Sequence, residues 1–198
     1  MKTVVIASNN LNKIREFKSI LSIPGIEFKG LKEMGIDIDV EENGNSFFDN
    51  ALIKAKAISE KYNVIAISDD SGLEVEALNG APGIYSARYA GTHDDEDNNR
   101  LLLKNLQGVE NRKARYVCNI VVYYPNGKYL SVEDYCYGYI IDDRRGTNGF
   151  GYDPYFYVDE YKKTLAEVSL EEKNKISHRA KALRRLKEKL DENFDIIG

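Results

Sequence analysis

The chain has 198 residues, 42% of them apolar and 30% charged, with a formal net charge of −4. That length can bury one sizeable core. No window approaches the roughly 20 apolar residues that a membrane span needs, and an acidic balance argues against a surface for nucleic-acid polymers, whose affinity comes from clustered Lys and Arg. A small anionic substrate carried with a divalent cation stays open. The apolar run at the start, "TVVIA", is too short for a secretory signal, so a cytoplasmic protein is expected.

In chain order, "TVVIAS" reads as a buried strand. A helix over about 9–22 follows, with Leu11, Ile14, Phe17, Ile20 and Leu21 at helical spacing and Asn9 or Asn10 as its cap. Short strands are expected near 26–29 and 36–40, then an acidic turn, "EENGNS". Phe47 to Tyr62 forms a second helix, capped by Asn45 or Ser46, with Phe47, Ala51, Ala55, Ile58 and Tyr62 as its buried stripe. A strand at 64–68 ends at Asp69-Asp70, and the Ser-Gly that follows has the composition of a turn. After a long loop, a helix covers about 97–107. Strands at about 114–124 and 129–140 form the clearest hairpin. If Asn126 and Gly127 are its two loop residues, Cys118 and Cys136 lie on opposite faces, and no disulfide is expected. A Gly-rich loop, "RRGTNGFGYDP", and one short strand precede a last helix over about 178–192, carrying Ile176, Ala180, Leu183, Leu186 and Leu190, with Ser177 as its cap. Repeats, low-complexity tracts and linkers are absent from the sequence, so one α/β unit over 1–198 is expected.

Four stretches carry chemistry. In "SNNLNK" a strand ends in small polar residues at a helix N-terminus, where free backbone N–H groups and the helix dipole favour a phosphate, and Lys13 adds a full charge. The alternative is an ordinary capped helix, and no Walker loop is present. Asp69, Asp70, Glu41 and Glu42 lie at the edges of expected elements, which suits Mg²⁺, a cation that takes one or two carboxylates and fills its shell with water and phosphate oxygens. Adjacent residues on an extended chain point to opposite sides, so Asp69 and Asp70 must have different roles. The run Asp94 to Asp97 reads instead as solvated or as serving a helix N-terminus. "NGFGYDP" offers Gly149 and Gly151 for close backbone approach, and Phe150 and Tyr152 as flat faces for a base. Lys173, Lys175, His178 and Arg179 lie at the start of the last helix, against its dipole, as expected where a ligand supplies negative charge.

Taken together, "SNNLNKIREF", "EENGNSFFDNALIKA", "ISDDSGLEVEALNGAPGIYSARYAG", "GTNGFGYDPYF" and "EEKNKISHRAKAL" resemble, in order and across nearly the whole chain, the HAM1/inosine triphosphate pyrophosphatase family. The resemblance implies an elongated, twisted mixed α/β sheet flanked by helices, in two lobes with the active-site cleft between them. It also implies a homodimer. The implied reaction is Mg²⁺-dependent hydrolysis of ITP, dITP and XTP to nucleoside monophosphate and pyrophosphate, which cleanses the nucleotide pool. Carried over by residue, Ser8, Asn9, Asn10 and Lys13 hold the triphosphate, Asp70 is the proton acceptor and a Mg²⁺ ligand, and Glu41 is the other metal carboxylate. Ser71 contacts substrate, Phe150, Gly151, Tyr152 and Asp153 bind the nucleoside, and Lys173, His178 and Arg179 contact phosphate and the 6-oxo purine. A Maf-type pyrophosphatase would carry an Arg-rich opening loop, which "SNNLNKIREF" is not. A haloacid-dehalogenase phosphatase would need Asp-x-Asp after the first strand. A non-catalytic nucleotide sensor on the same fold has no need of a base beside the metal.

Overall fold

A computed structural model describes residues 2–192. Its first element, β1 (Lys2–Ile6), leads into α1 (Leu11–Ile20), and β2 (Ile26–Gly30) returns parallel to β1. Helix α2 (Phe47–Tyr62) then delivers β3 (Ile65–Val75) to the other side of β1, again parallel. Helix α3 (Asp95–Asn105) precedes the hairpin of β4 (Lys113–Tyr123) and β5 (Tyr129–Ile140). Short strands β6 (Phe156–Val158) and β7 (Lys163–Thr164) add antiparallel, and α4 (Leu170–Ile176) and α5 (His178–Glu192) close the described chain. The result is a mixed sheet in the order β2-β1-β3-β4-β5-β6-β7, flanked by helices.

The chain forms two compact units. Among the described residues the first comprises 2–70, Cys118–Asp134 and 179–192. Its strands are buried on both faces. Val4 and Ile6 of β1, with Ile120 and Val122 of β4, pack with Phe17 of α1 and Leu183, Leu186 and Leu190 of α5. Val5 and Ala66 join Ile58 of α2, and Val121 and Tyr123 join its Ala51 and Ala55. The period-2 alternation of a strand sorts these neighbours to opposite faces. The second unit comprises Ser71–Val117 and Tyr135–His178. Its core gathers Leu73, Val75, Leu102, Leu106, Tyr116, Ile140, Phe156, Leu165 and Ile176. Several alternate strand residues are more open, Tyr137 and Tyr139 among them, with Arg115 paired to Glu74 at 2.7 Å.

Several expectations change. Strand β3 does not turn at Ser71-Gly72 but runs on to Val75, 11 residues in all, with Asp69 2% and Asp70 8% exposed. Both carboxylates have partners from other elements, so their charge does not end the strand. Residues 36–40 form no strand; a 3-10 turn, Lys32–Met34, leads into irregular chain. Leu11 stands outside the helical stripe, 62% exposed. Helix α3 starts at Asp95, two residues before the expected 97. The hairpin loop has three residues, Pro125 to Gly127, because the Tyr124 N–H donates to the Lys128 carbonyl and Gly127 takes φ +83°. That shifts the register by one, and Cys118 and Cys136, both buried, form no disulfide. Two short strands replace the single one expected before the last helices. Lys173 and Lys175 belong not to the last helix but to α4, which opens on a capping box of Ser169 and Glu172. Ser177 ends α4 as its C-cap.

Candidate active site

In the first unit the turn from β1 into α1 is built by its own side chains. The Ser8 hydroxyl accepts from the Asn10 N–H at 3.1 Å. The Asn10 carboxamide oxygen accepts from the N–H groups of Asn12 and Lys13, at 3.0 and 3.2 Å. Asn10, not Asn9, is therefore the cap, and Asn9 is exposed. One turn in, the Lys13 ammonium reaches Oδ2 of Asp69 at 3.1 Å.

Asp69 and Asp70 diverge as alternation on a strand requires. Asp69 accepts from Nε of Arg179 at 3.1 Å, and Nη1 of that buried guanidinium lies 2.6 Å from Oε2 of Glu16. Burial pushes the Asp69 carboxyl up, but Lys13 and Arg179 outweigh it and hold the group well below the usual carboxylate range. Asp70 instead accepts from Nδ2 of Asn50 at 3.1 Å. Burial, with Glu42 adding to it against Lys54 and Lys13, pushes its carboxyl up to about 6. Lys54 sits beside both acids: its ammonium donates to the Asp69 carbonyl at 2.6 Å and pairs with Glu42 at 2.8 Å. Burial favours loss of its proton, yet Asp69, Glu42 and Asp70 together raise its pKa. Glu42 is thus engaged, whereas Glu41, the acid singled out by resemblance, is exposed. The unit brings together a carboxylate that is ionised at neutral pH yet basic for its kind, and three cations, Lys13, Lys54 and Arg179. Such a set can neutralise phosphates and take a proton from water.

In the second unit the hub is Asp153. Its Oδ2 accepts from the Lys173 ammonium at 2.8 Å and from the Phe150 N–H at 3.2 Å, and its Oδ1 accepts from the Tyr116 hydroxyl at 3.2 Å. The Lys173 ammonium also lies 4.8 Å from the centre of the Phe150 ring, a cation–π contact. Tyr116 stacks on His178, with ring centres 4.8 Å apart and planes 10° apart. Gly149, at φ +74°, is required here, because a Cβ would run into the Asp153 carboxylate. Tyr152 is not an open face for a base: it is buried, and its hydroxyl donates to the Ser86 carbonyl at 2.6 Å. Phe150 is half-buried, so the flat face belongs to it. Ser71, the first residue of this unit, is half-buried on β3 directly after Asp70.

Arg179, at the start of α5 and against its dipole, finds negative charge within the chain at Glu16 and Asp69; Lys173 lies in the last turn of α4, not against a dipole, and pairs with Asp153. Glu16, Asn50, Lys54 and Tyr116 are members of these clusters that the sequence reading does not single out. Asn50 and Lys54 were findable, since polar residues four apart share one face of α2 beside its apolar stripe. Tyr116 was not, because an aromatic in "ARYVCNIVVYY" reads as ordinary core.

Known proteins share this chain along its length. The family model described as Ham1 family matches residues 4–189. A dITP/XTP pyrophosphatase of Bacillus anthracis is 50% identical, the match covering 98% of each chain. That of Bacillus subtilis is 45% identical, covering 96% of this chain and 98% of its own. Among solved structures, the Ham1 protein of Staphylococcus aureus has a TM-score of 0.89 at 46% identity, covering 96% of this chain and 98% of that one. A HAM1 protein from Coxiella burnetii has a TM-score of 0.90 at 38% identity, covering 97% and 100%. The ordered motifs, the mixed sheet and these matches agree, and the chain belongs to the Ham1 family.

Proposed function

We propose that this chain, as one domain over 1–198, hydrolyses the non-canonical purine nucleoside triphosphates ITP, dITP and XTP to nucleoside monophosphate and pyrophosphate. It thereby clears them before they enter DNA or RNA. Relatives half identical to it over their whole length bear the name dITP/XTP pyrophosphatase. The observation that carries the reading is Asp70, a buried carboxyl raised to about 6. Its strand neighbour Asp69 holds Lys13 and Arg179 in place.

In this reading the Ser8 to Lys13 turn, Lys54 and the N-terminus of α1 meet the triphosphate, with Asn9 and Asn10 shaping the turn. Asp70 takes a proton from the water that attacks the phosphorus next to the sugar. The bond from that phosphorus to the bridging oxygen breaks, and pyrophosphate leaves with the charge. Such chemistry is mostly positioning and charge neutralisation. In the second unit Phe150 supplies the stacking face, Gly151, Tyr152 and Asp153 shape the loop, and Lys173, His178 and Ser71, with Arg179 of the first unit, contact phosphate and the base. A donor aimed at the 6-oxo group rejects adenine, whose amino group would leave that donor unpaired.

The donor set fits Mg²⁺. Among the described residues no group of three His, Cys, Asp or Glu side chains forms a closed metal cluster. Mg²⁺ characteristically takes one or two carboxylates and completes its shell with water and substrate phosphates. Asp70 and Glu41 would hold it, and Asp70, whose ionised form is disfavoured by burial and by Glu42, gains from a cation. When bound, the ion supplies charge neutralisation at the phosphates. A homodimer in the cytoplasm completes the proposal; sedimentation showing only monomer removes the first part. The function is tested by measuring kcat/KM for dITP, XTP, dGTP and ATP with Mg²⁺. dITP and XTP should exceed ATP by at least about 100-fold. Equal rates, or no turnover of dITP, overturn the reading.

A further inference from the structure

The acidic run that opens α3 does more than start a helix. Asp94 is the cap, its Oδ1 accepting from the Asp97 N–H at 3.0 Å. Asp95 turns elsewhere: its Oδ2 accepts from the N–H of Gly151 at 2.8 Å. Four residues on, and therefore on the same helix face, Nδ2 of Asn99 donates to the Gly151 carbonyl at 2.9 Å. One helix face thus holds both backbone polar groups of a single residue. Gly151, at φ +63°, has no side chain to pack, and Gly149 two residues before it is likewise a glycine at positive φ. Hydrogen bonds place Phe150 through its own N–H to Asp153, through its carbonyl from the Asp153 N–H at 3.3 Å, and through two more at Gly151. Asn99 is 2% exposed, and among the described residues its Oδ1 has no hydrogen-bond partner. Burying a carboxamide half satisfied costs stability that an apolar side chain would not. Its grip on Gly151 is then what distinguishes it from a packing residue.

We infer that Asp95 and Asn99 are positioning residues for base recognition, holding the loop at Gly149 to Gly151 so that Phe150 presents its ring to the purine. The inference rests on the proposed function, in which Phe150 meets the nucleoside and Gly151 shapes the loop that carries it. A loop freed from α3 must be ordered again on binding, which weakens affinity and relaxes the fit to one base. The chemical step, built on Asp70 in the first unit, is left alone. The variants Asp95→Ala and Asn99→Ala should each raise KM for dITP roughly three- to tenfold, keep kcat within about twofold and lower the dITP-to-dGTP ratio of kcat/KM. Asp95→Asn, which keeps an oxygen able to accept from the Gly151 N–H, should stay within about twofold of the parent in KM. Hydrogen–deuterium exchange should quicken at the Phe150 and Gly151 amides in Asp95→Ala, whether or not dITP is the substrate. Asp95 is exposed, so its variants keep the fold if Asn99→Ala does not. Unchanged exchange at those amides overturns the anchoring. A lower melting temperature with unchanged KM and selectivity shows a merely structural role and also overturns it. A parent that leaves dITP intact instead sinks the base assignment, with exchange still deciding the anchoring.

Discussion

Replacing Asp70 by Asn should make the protein more stable while stopping its turnover. Burial first, and Glu42 after it, raise the Asp70 carboxyl from 3.8 to about 6. A carboxyl whose folded value lies above its unfolded one opposes folding once ionised. The cost is absent below the unfolded value, grows between about 3.8 and 6, and is constant above that. At about 1.4 kcal/mol per pH unit the gap amounts to about 3 kcal/mol. The carboxamide that replaces it carries no charge, and its oxygen can still accept from Nδ2 of Asn50, so the native hydrogen bond survives. For a chain of this length about 3 kcal/mol corresponds to roughly 6 to 12 °C in Tm. Thermal unfolding of both proteins in EDTA, from pH 4 to pH 8, should show the difference fully at pH 8 and nearly absent at pH 4. Equal or lower stability of Asp70→Asn at pH 8, or a gain independent of pH, refutes the reasoning. With Mg²⁺ and dITP the same variant should lose on the order of 10² to 10⁴ in kcat, as expected when a general base is removed, and still bind nucleotide.

Other outcomes follow from the same geometry. Tyr116→Phe removes the hydroxyl on Asp153 but keeps the ring on His178, so it should raise KM for dITP several-fold, and Tyr116→Leu should cost more; a Tyr116→Phe KM equal to the parent's would show the hydroxyl idle. Glu16→Ala leaves the buried Arg179 guanidinium with one carboxylate fewer and should cost about 3 kcal/mol in urea unfolding, which an unshifted midpoint would contradict. Because Asp70 must be ionised to accept a proton, kcat/KM should fall as pH drops through about 6, with bound Mg²⁺ moving the fall lower; a profile flat down to pH 4.5 excludes it as the base.

Much of the molecule was legible in the sequence because local and tertiary demands agree. The cap at Ser46 and a stripe of Phe47, Ala51, Ala55 and Ile58 define α2 to the residue, from Phe47 to Tyr62. Alternation alone required Asp69 and Asp70 to part, and they do, to Lys13 and Arg179 on one side and Asn50 on the other. What could not be read was the continuation of β3 through "DDSG". Asp, Ser and Gly make turns when their polar groups face water, and here partners far along the chain meet both carboxylates instead. The same distance hides Asp95, whose partner Gly151 lies 56 residues on, although Asp94 beside it is a cap of the expected kind. Helix α4 was a different miss: Ser169 and Glu172 spell a capping box in the sequence itself. The basic start of α5 correctly announced a need for negative charge, but Glu16 and Asp69 of the same chain answer it for Arg179.

The most direct test of the central claim is to hydrolyse dITP in ¹⁸O-labelled water with Mg²⁺ and identify the products by mass spectrometry. Attack of water on the phosphorus next to the sugar, with Asp70 taking the proton, predicts dIMP carrying one ¹⁸O and unlabelled pyrophosphate in equal amounts. Inorganic phosphate as the first product, or label in the pyrophosphate, would contradict it.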